Sequence, residues 1–380
     1  MTARDVVFTF FHENWPDAVR RQFMPPDRLV QTLLNHDRVG GLLVANPYRS
    51  APRLLARRIL ATAADPPFPR RTSTELTTPL RLRKRDPVGE GVLRRTYEAY
   101  DRHLQARAKH LGLDRPVVIT TNPFYAAFAP LDWAGPVTYY AWDDWAALAS
   151  LQRWWDDFDT AYRTLSERGV RVCAVTDNLL RRIEPTAAAA VVPNGVVPSE
   201  WQPPWEAPAW LEPLPRPRIL YVGAIHERLD MNAVREISQH FSAGSIVVVG
   251  PVANTEVVKQ LTALPNVHVK EPLSHSQIAG LMHAADVCIM PHHRNALTES
   301  MSPLKIYEYC SAGRPVVATD LPAVRGVSDR VRLVPTGSSF VPAVEEALSD
   351  GPMPEAERTG FLQRNSWQGR HEQILDLALA

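Results

Sequence analysis

Cysteine is scarce in this 380-residue chain: Cys173, Cys288 and Cys310 stand far apart, with no CxxC spacing. That argues against a disulfide framework and against a cysteine-based metal site, and makes the reducing cytoplasm the expected compartment. Long apolar runs are missing too, since none approaches the ~18 residues a membrane span needs. Met1 to Asp5 lead directly into Val6-Val7-Phe8, so no secretory leader is expected. Charge of one sign is also lacking: 42 Lys and Arg meet 41 Asp and Glu, a net +1, which gives no global field for nucleic acid. Glycine is outnumbered, 18 against 34 prolines. Neither half carries GxGxxG after its first strand: His12-Glu13-Asn14-Trp15 follows one and Gly223-Ala224-Ile225-His226 the other. A nicotinamide-type fingerprint and a Walker loop are both absent.

What is present is a globular composition, 45% hydrophobic and 22% charged, in a length suited to two domains at about 150 residues each. Short apolar runs alternate with helical periodicity. In the first half they are Val6–Phe11, Gly41–Ala45, Val117–Thr121, Val137–Ala141, Val172–Val175 and Ala190–Val192. In the second they are Pro217–Ile225, Ser245–Gly250, Val267–Val269, Asp286–Met290, Pro315–Thr319 and Val331–Pro335. Such alternation predicts parallel sheets covered on both faces. Prolines and tryptophans crowd 198–217 (Trp201, Trp205 and Trp210 among them), and this stretch reads as a stiff linker pinned to a domain surface. The expected architecture is α/β: an N-terminal domain 1–197, the linker 198–217 and a C-terminal domain 218–360, with ligands at the carboxyl ends of the strands in the cleft between two Rossmann-like halves.

Between Ala51 and Arg115, 15 Lys and Arg face 7 Asp and Glu, with Arg70, Arg71, Arg81, Arg83, Lys84 and Arg85 among the cations. Two readings stand: a solvated helical face, or a surface for an anionic acceptor or for the headgroups of a membrane that carries one. Asp157-Phe158-Asp159 imitates a metal-binding DxD, but in a helical segment the two acids diverge by about 200°, so they read as surface charge. His292-His293 reads as loop, with no third ligand at metal spacing.

The chemistry concentrates between Asp286 and Thr319. Ser302-Pro303 is expected to open a helix, with serine as cap and proline in the first turn, making an anion site at the N-terminus. Lys305 in that first turn opposes the helix dipole unless a bound diphosphate compensates. Glu308, one turn on, offers the two acceptor oxygens a ribose diol requires. Together they describe a nucleotide diphosphate pocket.

The run Ser302-Pro-Leu-Lys-Ile-Tyr-Glu308-Tyr, then Gly313-Arg-Pro-Val-Val-Ala-Thr, resembles the donor site of nucleotide-sugar glycosyltransferases of the GT-B fold, close to bacterial family four with its PLKxxEYxxxGxPVV pattern. Tyr221 to Asp230, Val248 to Pro251, Leu264 to His268, Tyr140 to Asp144, Val175 to Leu179 and Val192 to Val196 agree in order and spacing, and Asn365-Ser366-Trp367 looks like the start of a terminal helix (361–380) that crosses back to the first domain. The resemblance implies that Glu308 holds the ribose, that Lys305 with the amides around Pro303 and Leu304 holds the diphosphate, and that loops at Gly250 and Lys270 to Leu273 flank the base. His226 and Arg228, on the loop after Gly223, would face the departing phosphate. Ser300 stands where the pattern has a second glutamate, with Glu299 one position off, which leaves sugar identity and retaining or inverting stereochemistry open.

The expected activity is transfer of a sugar from a UDP-, GDP- or dTDP-sugar to a hydroxyl of a glycan, lipid-linked glycan or small natural product, with no cofactor and no metal. Asp143 and Asp144, just past Val137–Ala141, are candidate bases, as is His12 after the first strand; helix capping is the competing role for the aspartates, and a plain hydrogen-bonded histidine for His12. A nucleotide-sugar epimerase of the same fold and a silent nucleotide-sugar-binding subunit are the alternatives. The expected place is the cytoplasm, with the inner membrane face open through 51–115.

Overall fold

A computed structural model describes residues 3–21, 24–52, 65–69, 71–83 and 85–380. The basic stretch therefore lies partly outside the described residues, at 53–64, Arg70 and Lys84. The chain divides into two compact units, Met1–Pro193 with Arg370–Ala380, and Asn194–Gly369.

In the first unit, β1 (Arg4–Thr9), β2 (Val39–Ala45), β4 (Thr74–Thr77), β6 (Val117–Thr120), β7 (Val137–Ala141), β8 (Arg171–Ala174) and β9 (Ala189–Val191) form one parallel sheet in the order β4-β2-β1-β6-β7-β8-β9. The two-residue strands β3 (Arg49–Ser50) and β5 (Leu80–Arg81) pair beside it. Strand β4 was not legible, because Thr-Glu-Leu-Thr has no apolar run; as an edge strand it needs only one covered face. The basic stretch supplies the 21-residue helix Glu90–His110, which buries Leu93, Tyr97, Tyr100, Leu104 and Ala108 at helical spacing and leaves Arg95, Arg102 and Lys109 exposed. The returning segment is held by His371 Nδ1 against Thr32 Oγ1 (2.6 Å), Arg38 on Asp376 (2.6 Å) and Arg171 on the carbonyls of Leu377 and Ala378 (3.1 Å each).

In the second unit, β10 (Arg218–Val222), β11 (Ser245–Val249), β12 (Val267–Lys270), β13 (Val287–Met290), β14 (Val316–Thr319) and β15 (Val331–Val334) form a parallel sheet ordered β12-β11-β10-β13-β14-β15. Successive residues of β10 and β11 enter opposite cores: Ile219, Tyr221, Ile246 and Val248 on one face, Leu220, Val247 and Val249 on the other. Covering both faces is what turns these strands into unbroken apolar runs. The strand order reverses between β10 and β13, and at such a switch point the loops part to leave a crevice at the carboxyl ends.

The proline-rich stretch differs from the expectation. All of 198–217 belongs to the second unit, and so does 361–369. Trp201 is buried in a core cluster, its carbonyl accepts from Arg358 (2.8 Å), and Trp205 stacks on His283 at 3.5 Å. Indole burial has made this segment part of a domain. Val196 pairs with Ser366 through Val196 N–H on Asn365 O (2.9 Å) and Trp367 N–H on Val196 O (2.8 Å). All three cysteines are buried and unbridged.

Candidate functional site

The second unit assembles its polar residues at the switch point. Gly223 follows β10, Gly250 follows β11 and His292 comes two residues after β13. Gly223 and Gly250 have φ of 139° and 151°, outside the range an L side chain readily adopts. A Cβ on Gly250 would stand 2.2 Å from the Gly223 carbonyl oxygen, and one on Gly223 would stand 2.7 Å from Lys305 Nζ. Two lone glycines on neighbouring strand ends thus provide the backbone approach that a glycine-rich motif supplies elsewhere. Gly250→Ala combines the disfavoured φ with a contact to main chain. It should cost about 2–4 kcal/mol, read as a lower denaturation midpoint at unchanged slope.

Lys305 lies in the first turn of the helix Leu304–Ser311. Its ammonium donates to the Tyr221 hydroxyl (2.9 Å), sits 3.4 Å from His292 Nε2 and stands 4.1 Å from the Tyr221 ring centre. Burial first, and Arg228 second, bring the lysine down to about 7, with Glu308 acting the other way. Tyr221 donates to the Ala224 carbonyl (3.2 Å), and burial pushes its phenol up to about 12. His292 is 2% exposed, with Nε2 3.2 Å from the Tyr221 hydroxyl and Nδ1 without a hydrogen-bond partner. Burial and then Lys305 and Arg228 hold it well below the usual histidine range. Nearby His226, desolvated and facing Arg228, falls to about 4; its Nδ1 accepts the Arg228 amide at 3.1 Å. The Arg228 guanidinium reaches the Met301 sulfur at 3.5 Å. Glu308 is half-buried one turn after Lys305. A cluster of basic groups, each pushed toward its neutral form by burial and by the others, is arranged for an anion.

The helix start departs from expectation in one respect. Pro303, not Ser302, occupies the cap position, and no side chain caps the helix. Ser302 is instead buried, its Oγ accepting the Asn194 N–H (3.3 Å) while Asn194 Nδ2 donates to the Ser302 carbonyl (2.6 Å). The amides of Leu304 and Lys305 therefore meet no serine hydroxyl and are left for an outside acceptor. Glu299 turns to Arg294, while Ser300 is buried at the end of the short helix Ala296–Ser300. Among the described residues no three His, Cys, Asp or Glu side chains gather as a metal site.

The first unit places its candidates differently. His12, exposed after β1, stacks on Trp145 with ring centres 5.8 Å apart and planes 3° from parallel. Asp144 is fully buried, accepts the Ala146 N–H at 3.2 Å as the cap of the 3-10 turn Trp145–Ala147, and pairs with Arg182 at 2.7 Å. The capping alternative thus describes its place. Asp143 is half-buried past the carboxyl end of β7, and its Oδ1 accepts the Asp144 N–H (2.9 Å). Asp157 corrects the surface-charge reading: it is buried and takes the Gly89 N–H at 3.0 Å, next to the helix Glu90–His110, whereas Asp159 pairs with Arg182. Trp15 is core.

Sequence reasoning missed Tyr221 and His292. The usable signal was positional, because His292 lies just past the carboxyl end of β13, as Gly223 lies just past that of β10.

Residues 216–350 match the family described as Glycosyl transferases group 1. Over 105 residues the chain is 31% identical to the putative teichuronic acid biosynthesis glycosyltransferase TuaH of Bacillus subtilis, an alignment covering 27% of this chain and 26% of that protein. Among solved structures, it is similar to Anabaena HepE in complex with UDP (TM-score 0.65, 15% identity, 98% of each chain). It is similar also to sucrose-phosphate synthase of Thermosynechococcus elongatus (0.67, 16%, 98% of each) and to α,α-trehalose 6-phosphate synthase of Burkholderia multivorans (0.68, 11%, 99% of this chain and 98% of that one). The resemblance read from the sequence is borne out, and the fold class is GT-B.

Proposed function

We propose that this protein is a glycosyltransferase that moves a sugar from a nucleotide-diphosphate sugar to an acceptor hydroxyl. The observation that carries the reading is Lys305, half-buried beside Tyr221 and His292 above the Gly223–Gly250 backbone contact at the strand-order reversal. In this reading Lys305, Arg228 and the amides of Leu304 and Lys305 take the diphosphate, and Glu308 takes the ribose diol. Gly250 and the Lys270–Leu273 loop border the base. Charge building on the leaving phosphate is met by Lys305 and Arg228, so activity is expected to survive a chelator, and no cofactor is assigned. Of the bases read from the sequence, Asp143 is favoured over Asp144, whose carboxylate is committed to a cap and an ion pair; His12 is the remaining candidate. A UDP-sugar is the favoured donor because HepE, similar in fold, binds UDP and glucose. A growing polysaccharide is the favoured acceptor because TuaH is named for teichuronic acid biosynthesis. The cytoplasm is the assigned compartment; no helix among the described residues is long and apolar enough to cross a membrane.

A thermal-shift panel of UDP-, GDP- and dTDP-sugars, followed by product analysis with and without acceptor, tests the reading. Donor consumption only with acceptor supports transfer; sugar interconversion without acceptor would make it an epimerase, and binding without turnover a silent subunit. Glu308→Ala should weaken donor binding by about 2 kcal/mol, the worth of a charged hydrogen bond. Unchanged affinity in calorimetry would remove Glu308 from the ribose.

A further inference from the structure

Residues 80–83 and 85–88 of the first unit bring together cations, exposed aliphatic side chains and a cavity. The cavity, of about 560 Å³, is lined by Arg83, Arg85, Arg95 and Arg153 with Asp86 and Val88 among the rest. Asp86 does not neutralise them, since its carboxylate is engaged by Arg81, whose guanidinium stands 5.7 Å from the Tyr48 ring centre. Among the described residues no carboxylate forms an ion pair with Arg83, Arg85, Arg95 or Arg153. The wall is built rather than incidental. Trp154 Nε1 donates to the Pro87 carbonyl (3.0 Å), Asp157 accepts from Gly89, and Arg153 lies 5.6 Å from the Trp154 ring centre, which fixes the arginine beside the loop. Arg95 comes from the helix Glu90–His110, one turn in.

Leu80, Leu82 and Val88 are 53%, 85% and 44% exposed in the same stretch. Both halves of this surface are unfavourable in water: like charges crowd one wall and large aliphatic groups stand open beside it. One kind of ligand reverses both. Arginine forks match phosphate oxygens bidentately, and an aliphatic chain beside the phosphate would cover Val88, which lines the cavity.

We infer that this cavity binds the phosphate of an amphiphilic ligand, with its arginines on the phosphate oxygens and Val88 against the aliphatic part. The same chemistry is offered by a dispersed alkyl phosphate and by the headgroups of an anionic bilayer. The inference does not depend on sugar transfer, because no nucleotide enters its test.

The test uses the full chain carrying Lys305→Ala, which silences the phosphate site of the second unit. Hexyl phosphate is titrated by calorimetry, and sedimentation is measured with phosphatidylglycerol and with phosphatidylcholine vesicles. Arg95→Gln with Arg153→Gln should weaken hexyl phosphate binding about tenfold or more. Arg83→Gln with Arg85→Gln, at exposed positions that cannot perturb the core, should act in the same direction at unchanged melting temperature. Arginine-dependent sedimentation with phosphatidylglycerol alone identifies the bilayer as the source. Arginine-dependent hexyl phosphate binding without sedimentation identifies a dispersed ligand. If neither probe binds, or if both arginine pairs can be replaced without effect on either, the inference is overturned.

Discussion

Replacing Lys305 by alanine is expected to raise the dissociation constant of the nucleotide-sugar donor about ten- to a hundredfold, the loss of one charge-assisted hydrogen bond to an anion at 1.4 kcal/mol per tenfold. The same residue should give binding a pH dependence of defined sign. In the free protein its pKa lies at about 7, lowered by burial and then by Arg228. The diphosphate favours the ammonium, so above pH 7 binding must take up a proton, and affinity should fall by up to tenfold per pH unit. The groups around it do not confuse the window: His226 at about 4 and His292 well below its usual range are neutral there, Tyr221 at about 12 keeps its proton, and Glu308 supplies an opposing charge. A nucleotide sugar is esterified on both phosphates and has no ionisation near 6 of its own. Linkage gives a companion effect. The folded state binds fewer protons at Lys305 than the unfolded chain between about pH 7 and the ordinary lysine range near 10.4, so this residue makes the free protein more stable as pH rises through that interval. Calorimetry from pH 7 to 9 checks the prediction. A level affinity profile in the parent protein, matching that of Lys305→Ala, would take Lys305 off the diphosphate.

Much of this was legible in the chain because a doubly covered parallel sheet leaves an unmistakable pattern. Ile219 to Val222 and Ile246 to Val249 are apolar at every position, since alternate side chains enter different cores. Lys305 could be singled out because a cation in the first turn of a helix is locally unfavourable, and a locally unfavourable residue marks a ligand. What could not be read depends on contacts between distant residues. Thr74–Thr77 becomes a strand only because β2 offers a free edge. Ser302, a good cap by local rules, is diverted by Asn194 from 108 positions away. The linker reading of 198–217 took its prolines as a boundary and its tryptophans as pins to a domain surface; which unit it joins is decided by burial of Trp201 and the Arg358 bond to its carbonyl. His292 looked like loop because adjacent histidines carry no spacing signal; only the fold brings it within 3.4 Å of Lys305.

Asp143 and Asp144 are neighbours in sequence and should behave as opposites. Asp144 is inaccessible to solvent, and its two oxygens serve the Ala146 amide and Arg182. Arg182→Ala would leave that carboxylate buried without its counterion. The full penalty for breaking a buried pair is about 3–5 kcal/mol, and because the Arg182 side chain is 31% exposed, water recovers part of it, leaving about 2–3 kcal/mol. The fall should appear in the denaturation midpoint, with donor affinity unchanged. Asp143→Asn is the converse. Its Oδ1 accepts the Asp144 N–H, a bond the asparagine amide oxygen reproduces, so that bond should survive the substitution. If Asp143 takes the proton of the acceptor hydroxyl, turnover should drop about 10²- to 10⁴-fold at unchanged donor affinity. The two variants together separate a structural carboxylate from a chemical one: a stable Asp143→Asn at full rate would pass the role to His12, whose imidazole is the exposed alternative stacked on Trp145. A stable Arg182→Ala, on the other hand, would mean that Asp144 can stand buried without that arginine.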